Sequence, residues 1–122
     1  MSESGATTNQ VIIFDTTLRD GERSLKGALS LEDKLEVAKQ LARLGVDVIE
    51  VGYPSGNPLE LAELQRLTRE IQGPILAVLA SAKAIEIDHA WRAVREAAKP
   101  RLHVYLSSSD ILLKRLFKLT RE

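Results

Sequence analysis

Four times along this chain a short apolar run is followed by a polar loop and then by a stretch whose apolar residues recur every three to four positions. Residues 11–14 form the first run. Beyond a loop, Ser30 is placed to cap a helix with Leu31, Leu35, Ala38, Leu41 and Ala42 on one face, and Gly45 ends it. Residues 46–51 are β-branched and mostly apolar. Asn57 and Pro58 then offer an N-cap and a first helical position, Leu61, Leu64, Leu67 or Thr68, and Ile71 keep helical spacing, and Gly73-Pro74 stops the segment. Residues 75–80 make a third strand, and Ile87, Ala90, Trp91, Val94 and Ala98 mark the expected buried stripe of a third helix, closed by Pro100. Residues 102–106 make a fourth strand, 107–110 a polar loop and cap, and 111 to about 119 the start of a fourth helix.

Strands alternating with helices through short connections imply an α/β chain with a parallel sheet and right-handed crossovers. The same βα unit builds open doubly wound sheets and closed barrels, and side-chain parity separates them. In the fourth strand His103, Tyr105 and Ser107 share one face, while Leu102, Val104 and Leu106 share the other. In the second, Glu50 falls on the face of Val48 and Gly52. A strand sandwiched between two helical layers is apolar on both sides, whereas a barrel strand can direct polar groups inward near its catalytic end. The expected architecture is therefore about four βα units, equivalent to the first half of a (βα)8 TIM barrel. At 122 residues the chain is about half the usual length of that closed fold. An unrelated open α/β domain is the remaining alternative.

Lys and Arg together number 17, as do Asp and Glu, so nothing favours a phosphate backbone or anionic lipid, and neither a nucleic-acid nor a membrane partner is expected. The chain has no cysteine, which excludes disulfides and Cys-ligated zinc and leans toward a cytoplasmic location. Residues 1–10 lack an apolar core and a basic start, and read as a disordered leader preceding the partial barrel of residues 11–122.

Residues 14–24 crowd an arginine, several carboxylates and a glycine into one strand-to-helix loop, the place where α/β folds put their chemistry. By pattern alone Arg19 and Asp20 serve equally well as an exposed loop pair. His103 also reads as a hydrogen-bonded structural residue, and Glu50 as half of an ion pair inside the barrel. Trp91 reads as core, His89 as exposed and inert, and Lys114, Arg115, Lys118 and Arg121 as the solvated outer face of a helix.

Residues 14–22, Phe-Asp-Thr-Thr-Leu-Arg-Asp-Gly-Glu, resemble the opening strand and loop of the α-isopropylmalate synthase and homocitrate synthase family. Residues 30–38 and 44–54 resemble that family's first helix and second strand, and residues 103–110 its fourth strand and following loop. The Gly-Tyr-Pro of residues 52–54 leans toward the isopropylmalate branch. The resemblance implies a (βα)8 barrel that condenses acetyl-CoA with a 2-oxo acid in the manner of leucine biosynthesis. It also implies a divalent cation, Mg²⁺, Mn²⁺ or Zn²⁺. By the same resemblance Asp20 is the metal-binding aspartate and Arg19 the catalytic and substrate-binding arginine that stabilises oxyanion charge. His103 and Glu50 are substrate-binding residues of the same cavity.

Departures weigh as much as matches. The family commonly has Glu-Gln-Ser-Pro-Gly where this chain has Glu22-Arg23-Ser24-Leu25-Lys26, so Arg23 brings bulk and charge to a pocket position and its role there is doubtful. The family's paired metal histidines, His-x-His, and a later asparagine belong to strands beyond the fourth and have no counterpart here. Asp20 alone cannot hold a catalytic cation, with only Glu22, Glu50 and His103 as neighbouring donors. The chain is therefore expected to be the N-terminal half of an acyltransferase barrel, a fragment or a subunit, inactive alone. Self-association or a complementary half-barrel chain would cover its open face. The competing readings are a non-catalytic half-barrel interaction or regulatory module, and a related homocitrate or citramalate synthase fragment.

Overall fold

The computed structural model describes residues 9–121. Most of the expected leader therefore lies outside the described residues. β1 (Phe14–Asp15), β2 (Val48–Gly52), β3 (Ile75–Ser81) and β4 (Pro100–Tyr105) form one sheet in the order β1-β2-β3-β4, every pair parallel. Helices α1 (Leu31–Leu44), α2 (Pro58–Glu70) and α3 (Ala84–Val94) make the crossovers. These are four βα units of a partial (βα)8-like barrel.

Local chemistry sets the helix boundaries. The Asp33 N–H donates to Ser30 Oγ at 3.1 Å at the start of α1, and Gly45, in the left-handed region at φ 86°, closes it with its N–H on the Ala42 carbonyl. Asn57 caps α2 by accepting from the Leu59 N–H at 2.8 Å, with Pro58 at the first helical position.

One continuous core lies between the sheet and the helices. Ile49, Val51, Leu76, Val78 and Ala80 face Leu35, Leu64, Leu67, Ala90 and Val94 there. The buried Thr68 hydroxyl of α2 reaches the Ala93 carbonyl at 3.1 Å, tying α2 to α3. Strand register sets the opposite face, where Glu50 sits beside Ala77, and Leu79 beside His103.

Several expectations need correction. Trp91 is not core but 45% exposed, and Ala98 is exposed too. α3 instead approaches its neighbours through Ala90, Ala93 and Ala97, whose small side chains admit close packing and turn the indole outward. His89 is not free in solvent. It is half-buried with its ring against Gly56, which has φ 94° and where an added Cβ would lie 2.5 Å from the imidazole. The fourth helix is shorter than its periodicity implies: α4 (Asp110–Leu112) passes into a π-turn (Leu113–Phe117), and Lys118 turns left-handed at φ 52°. Arg121 therefore lies beyond the helix, paired with Asp110 rather than on a solvated helical face. β1 is also shorter and later than expected, with Val11, Ile12 and Ile13 exposed beside it. Finally, a bulge between Glu50 and Gly52 breaks the alternation of β2. Gly52 faces Leu64 of α2, where an added Cβ would come within 2.9 Å, so it does not share the face of Glu50.

Candidate functional site

The loop after β1 is wound by its own backbone. Asp15 accepts from the Thr17 N–H at 2.9 Å, and the Thr16 carbonyl receives the N–H groups of Arg19, Asp20 and Gly21. This tight winding sends successive side chains to opposite sides. Leu18 is driven into the helix-side core at 1% exposure, and Arg19 crosses to the inner face of the sheet.

There Arg19 Nε donates to Glu50 Oε1 at 2.5 Å. The other oxygen of the same carboxylate, Oε2, meets His103 Nδ1 at 2.5 Å. Glu50 is wholly buried, while the side chains of Arg19 and His103 are 20% and 45% exposed. A buried carboxylate is costly unless paired on both oxygens, and here both are used. The bond to Nδ1 orients the imidazole and leaves Nε2 without a partner among the described residues. Phe14 of β1 braces the ring edge-on, with centroids 5.6 Å apart. Residues separated by 31 and 53 positions are thus joined through one carboxylate.

Asp20 behaves differently. Its side chain is 62% exposed and touches Arg19 Nη1 at 3.3 Å. The other acidic candidate in the loop, Glu22, is turned away to receive the Leu29 N–H at 3.2 Å and to pair with Lys34 at 3.4 Å. With Glu50 saturated and Glu22 engaged elsewhere, no group of three acidic or histidine side chains among the described residues can hold a metal ion. Asp20 can supply one hard oxygen ligand and no more. These residues alone do not fit a catalytic cation. Arg23 lies in the 3₁₀ turn Gly21–Ser24, its side chain lining a cavity on the helix side of the loop.

A second polar cluster went unforeseen. Tyr53, just after β2, donates its hydroxyl proton to Glu86 Oε2 at 2.6 Å, and the Ser81 N–H donates to the same oxygen at 3.0 Å. Because that phenol has only one proton, Tyr105 must be the donor in the 3.2 Å contact between the two tyrosine hydroxyls. Burial, and then the bond to Glu86, push the Tyr53 phenol far above its ordinary range. Burial also pushes the Glu86 carboxyl upward, but this is outweighed. The nearby Ser81 hydroxyl, the Tyr53 hydroxyl and the Ser81 N–H, aided by Lys83, hold Glu86 below the usual carboxylate range. Ser81 Oγ itself is buried without a well-formed hydrogen bond. Only the shared parity of His103 and Tyr105 hinted at this cluster, since Tyr53 and Glu86 are 33 positions apart.

The HMGL-like family model matches residues 10–122, nearly the entire chain. The chain belongs to the HMGL-like family. It is 44% identical over 113 residues to a 2-isopropylmalate synthase of Dictyoglomus turgidum, covering 93% of this chain and 22% of that protein. It is 46% identical over 113 residues to a 2-isopropylmalate synthase of Carboxydothermus hydrogenoformans, with the same two coverages. With that of Pelotomaculum thermopropionicum it shares 44% over 115 residues, or 94% of this chain and 23% of the relative. The chain thus spans under a quarter of the length of these curated relatives. Within this HMGL-like chain, Arg19 and His103 are joined through the buried carboxylate of Glu50, and Asp20 touches Arg19 from the solvent side.

Proposed function

We propose that this chain supplies the N-terminal half of a 2-isopropylmalate synthase-type site, for metal-dependent condensation of acetyl-CoA with a 2-oxo acid. The observation that carries this reading is the joining of Arg19, Glu50 and His103 on the inner face of the sheet. Condensation places negative charge on the former ketone oxygen, and a fixed guanidinium in a site screened from water stabilises such charge. Glu50 holds Arg19 by Nε, leaving N–H groups on the guanidinium for an oxyanion or a substrate carboxylate. His103 keeps Nε2 available to bind substrate or hold a proton. When bound, a divalent cation would polarise the ketone, with Asp20 contributing one oxygen. The remaining ligands must come from outside the described residues, so the chain alone is inactive and its open inner face is covered by a second copy or a complementary chain.

The test is free thiol release from acetyl-CoA with 3-methyl-2-oxobutanoate and Mn²⁺. The chain is assayed alone and after mixing with the remaining portion of the Dictyoglomus relative. No turnover is expected alone, and turnover on mixing should fall at least a hundredfold with Arg19→Lys. Turnover by the chain alone would overturn the half-site reading, and a mixed enzyme indifferent to Arg19→Lys would overturn the assignment of Arg19. That no group of three acidic or histidine side chains among the described residues can hold a metal ion favours a second reading, a half-barrel interaction or regulatory module without chemistry. Under it, mixing yields a complex and no turnover.

A further inference from the structure

Tyr53, Glu86 and Tyr105 gather at the C-terminal end of the sheet, and the half-site reading leaves them unused. Tyr105 falls two residues beyond His103 on the same face of β4, opposite Ser81 in register. Its ring meets that of Tyr53 edge-on, with centroids 6.2 Å apart, and stays 40% exposed.

The hydrogen bonds here run in one direction. The Glu86 carboxylate, held in its ionised form, can only accept, and its Oε2 takes the Ser81 N–H at 3.0 Å and the Tyr53 hydroxyl at 2.6 Å. Tyr53 has then committed its proton and receives that of Tyr105 across 3.2 Å. Tyr105 keeps its lone pairs, has no second proton to give, and meets no donor among the described residues. Toward the inner space it is an acceptor only. Once that face is covered, an acceptor stripped of water and left without a donor is penalised, so the ligand that belongs beside Tyr105 carries an N–H or O–H.

Of the two substrates in the half-site reading, the 2-oxo acid offers carboxylate and ketone oxygens and no donor. Acetyl-CoA has amide N–H groups in the arm that follows its thioester. The spacing agrees as well. Two residues of β4 advance about 6–7 Å from His103 to Tyr105. The acyl carbon and the first amide nitrogen of the arm are four bonds apart, about 5–6 Å when extended. We propose, resting on that reading, that Tyr105 determines acyl-donor specificity by accepting a hydrogen bond from the amide N–H nearest the thioester, with Tyr53 and Glu86 as positioning residues. The oxo acid takes the Arg19 and His103 end, and the arm leaves along β4 past Tyr105.

S-Acetyl-N-acetylcysteamine, an acetyl thioester with that single amide, is titrated into the intact chain and compared with the ester in which oxygen replaces its N–H. The Tyr105 ring resonances follow both titrations by NMR. The amide should bind about tenfold tighter, since the ester sets an oxygen against the Tyr105 lone pairs. Tyr105→Phe keeps the ring and should bring the two affinities to within about twofold of each other. Tyr53→Phe removes the acceptor that holds the Tyr105 proton, frees that hydroxyl to turn and donate, and should cut the preference to about threefold or less. A purely structural tyrosine pair would lower the melting temperature of both variants and leave the amide-to-ester ratio unmoved, which would overturn the assignment. Binding of 3-methyl-2-oxobutanoate, followed at His103, should weaken with Arg19→Lys and not with Tyr105→Phe. Failure of the oxo acid to bind while the amide preference stands would overturn the half-site reading and leave the role of Tyr105 supported. Equal binding of amide and ester to the unaltered chain, binding of neither, or a preference that survives Tyr105→Phe would each overturn that role.

Discussion

The two faces of the sheet are built from the same four strands and solve opposite problems. On the helix side, Ile49, Val51, Leu76 and Val78 are matched by apolar stripes from α1, α2 and α3, and the product is a closed core. On the other side, one buried carboxylate gathers an arginine from a loop and a histidine from the edge strand, while His103 and Tyr105 remain partly open to solvent. One face is finished by apolar stripes that recur at regular spacing along the chain. The other is held by a few charged contacts across long separations, and there an unpaired group is expensive. The difference separates two tasks: the helix side carries the buried apolar core, and the inner side carries specificity of arrangement.

That division predicts a graded set of effects. Leu67→Ala, at a fully buried position on the helix side, should cost about 3 kcal/mol by the cavity it leaves, read from urea unfolding. A cost below 1 kcal/mol would mean the helical layer is not the main support. Glu50→Gln should cost less, about 2 kcal/mol, because Arg19 and His103 are partly exposed and water can relieve them. A larger loss than for Leu67→Ala would reverse the comparison. Thr68→Val, which deletes the hydroxyl joining α2 to α3, should cost about 1 kcal/mol.

The smallest effect concerns pH. Glu86 is held below its ordinary value near 4.5, so its contribution is complete above that value and is lost as pH falls through the lower folded one. Glu86→Gln should therefore flatten the acid limb of the stability profile and leave its slope near neutrality unchanged. An unaltered acid limb would remove Glu86 from the account of how β2, β3 and β4 are tied together at their C-terminal ends.

The legible part of the site had a common cause. Arg19 and Asp20 stand in a loop flanked by clear strand and helix patterns, and His103 and Glu50 are polar interruptions of apolar strands, so parity drew attention to them while the family resemblance supplied their expected roles. Tyr53 and Glu86 carried no such mark, because a tyrosine after a strand and a glutamate in the first turn of a helix are ordinary in isolation. Trp91 misled for a related reason. Hydropathy favours the bulkiest apolar residue as core, whereas a close helix contact favours alanine.

The order of strands and helices, their caps at Ser30, Gly45 and Asn57, and the helix-side stripes of α1 and α2 were determined by sequence, because each depends on interactions within a few residues. Which carboxylate receives Arg19, which way Gly52 faces past the bulge, and where Asp20 points were decided only by tertiary structure. Those outcomes depend on register between strands and on desolvation of charge, neither of which has a local signature. A periodic pattern can state that a face is buried, but only the folded sheet can state what meets there.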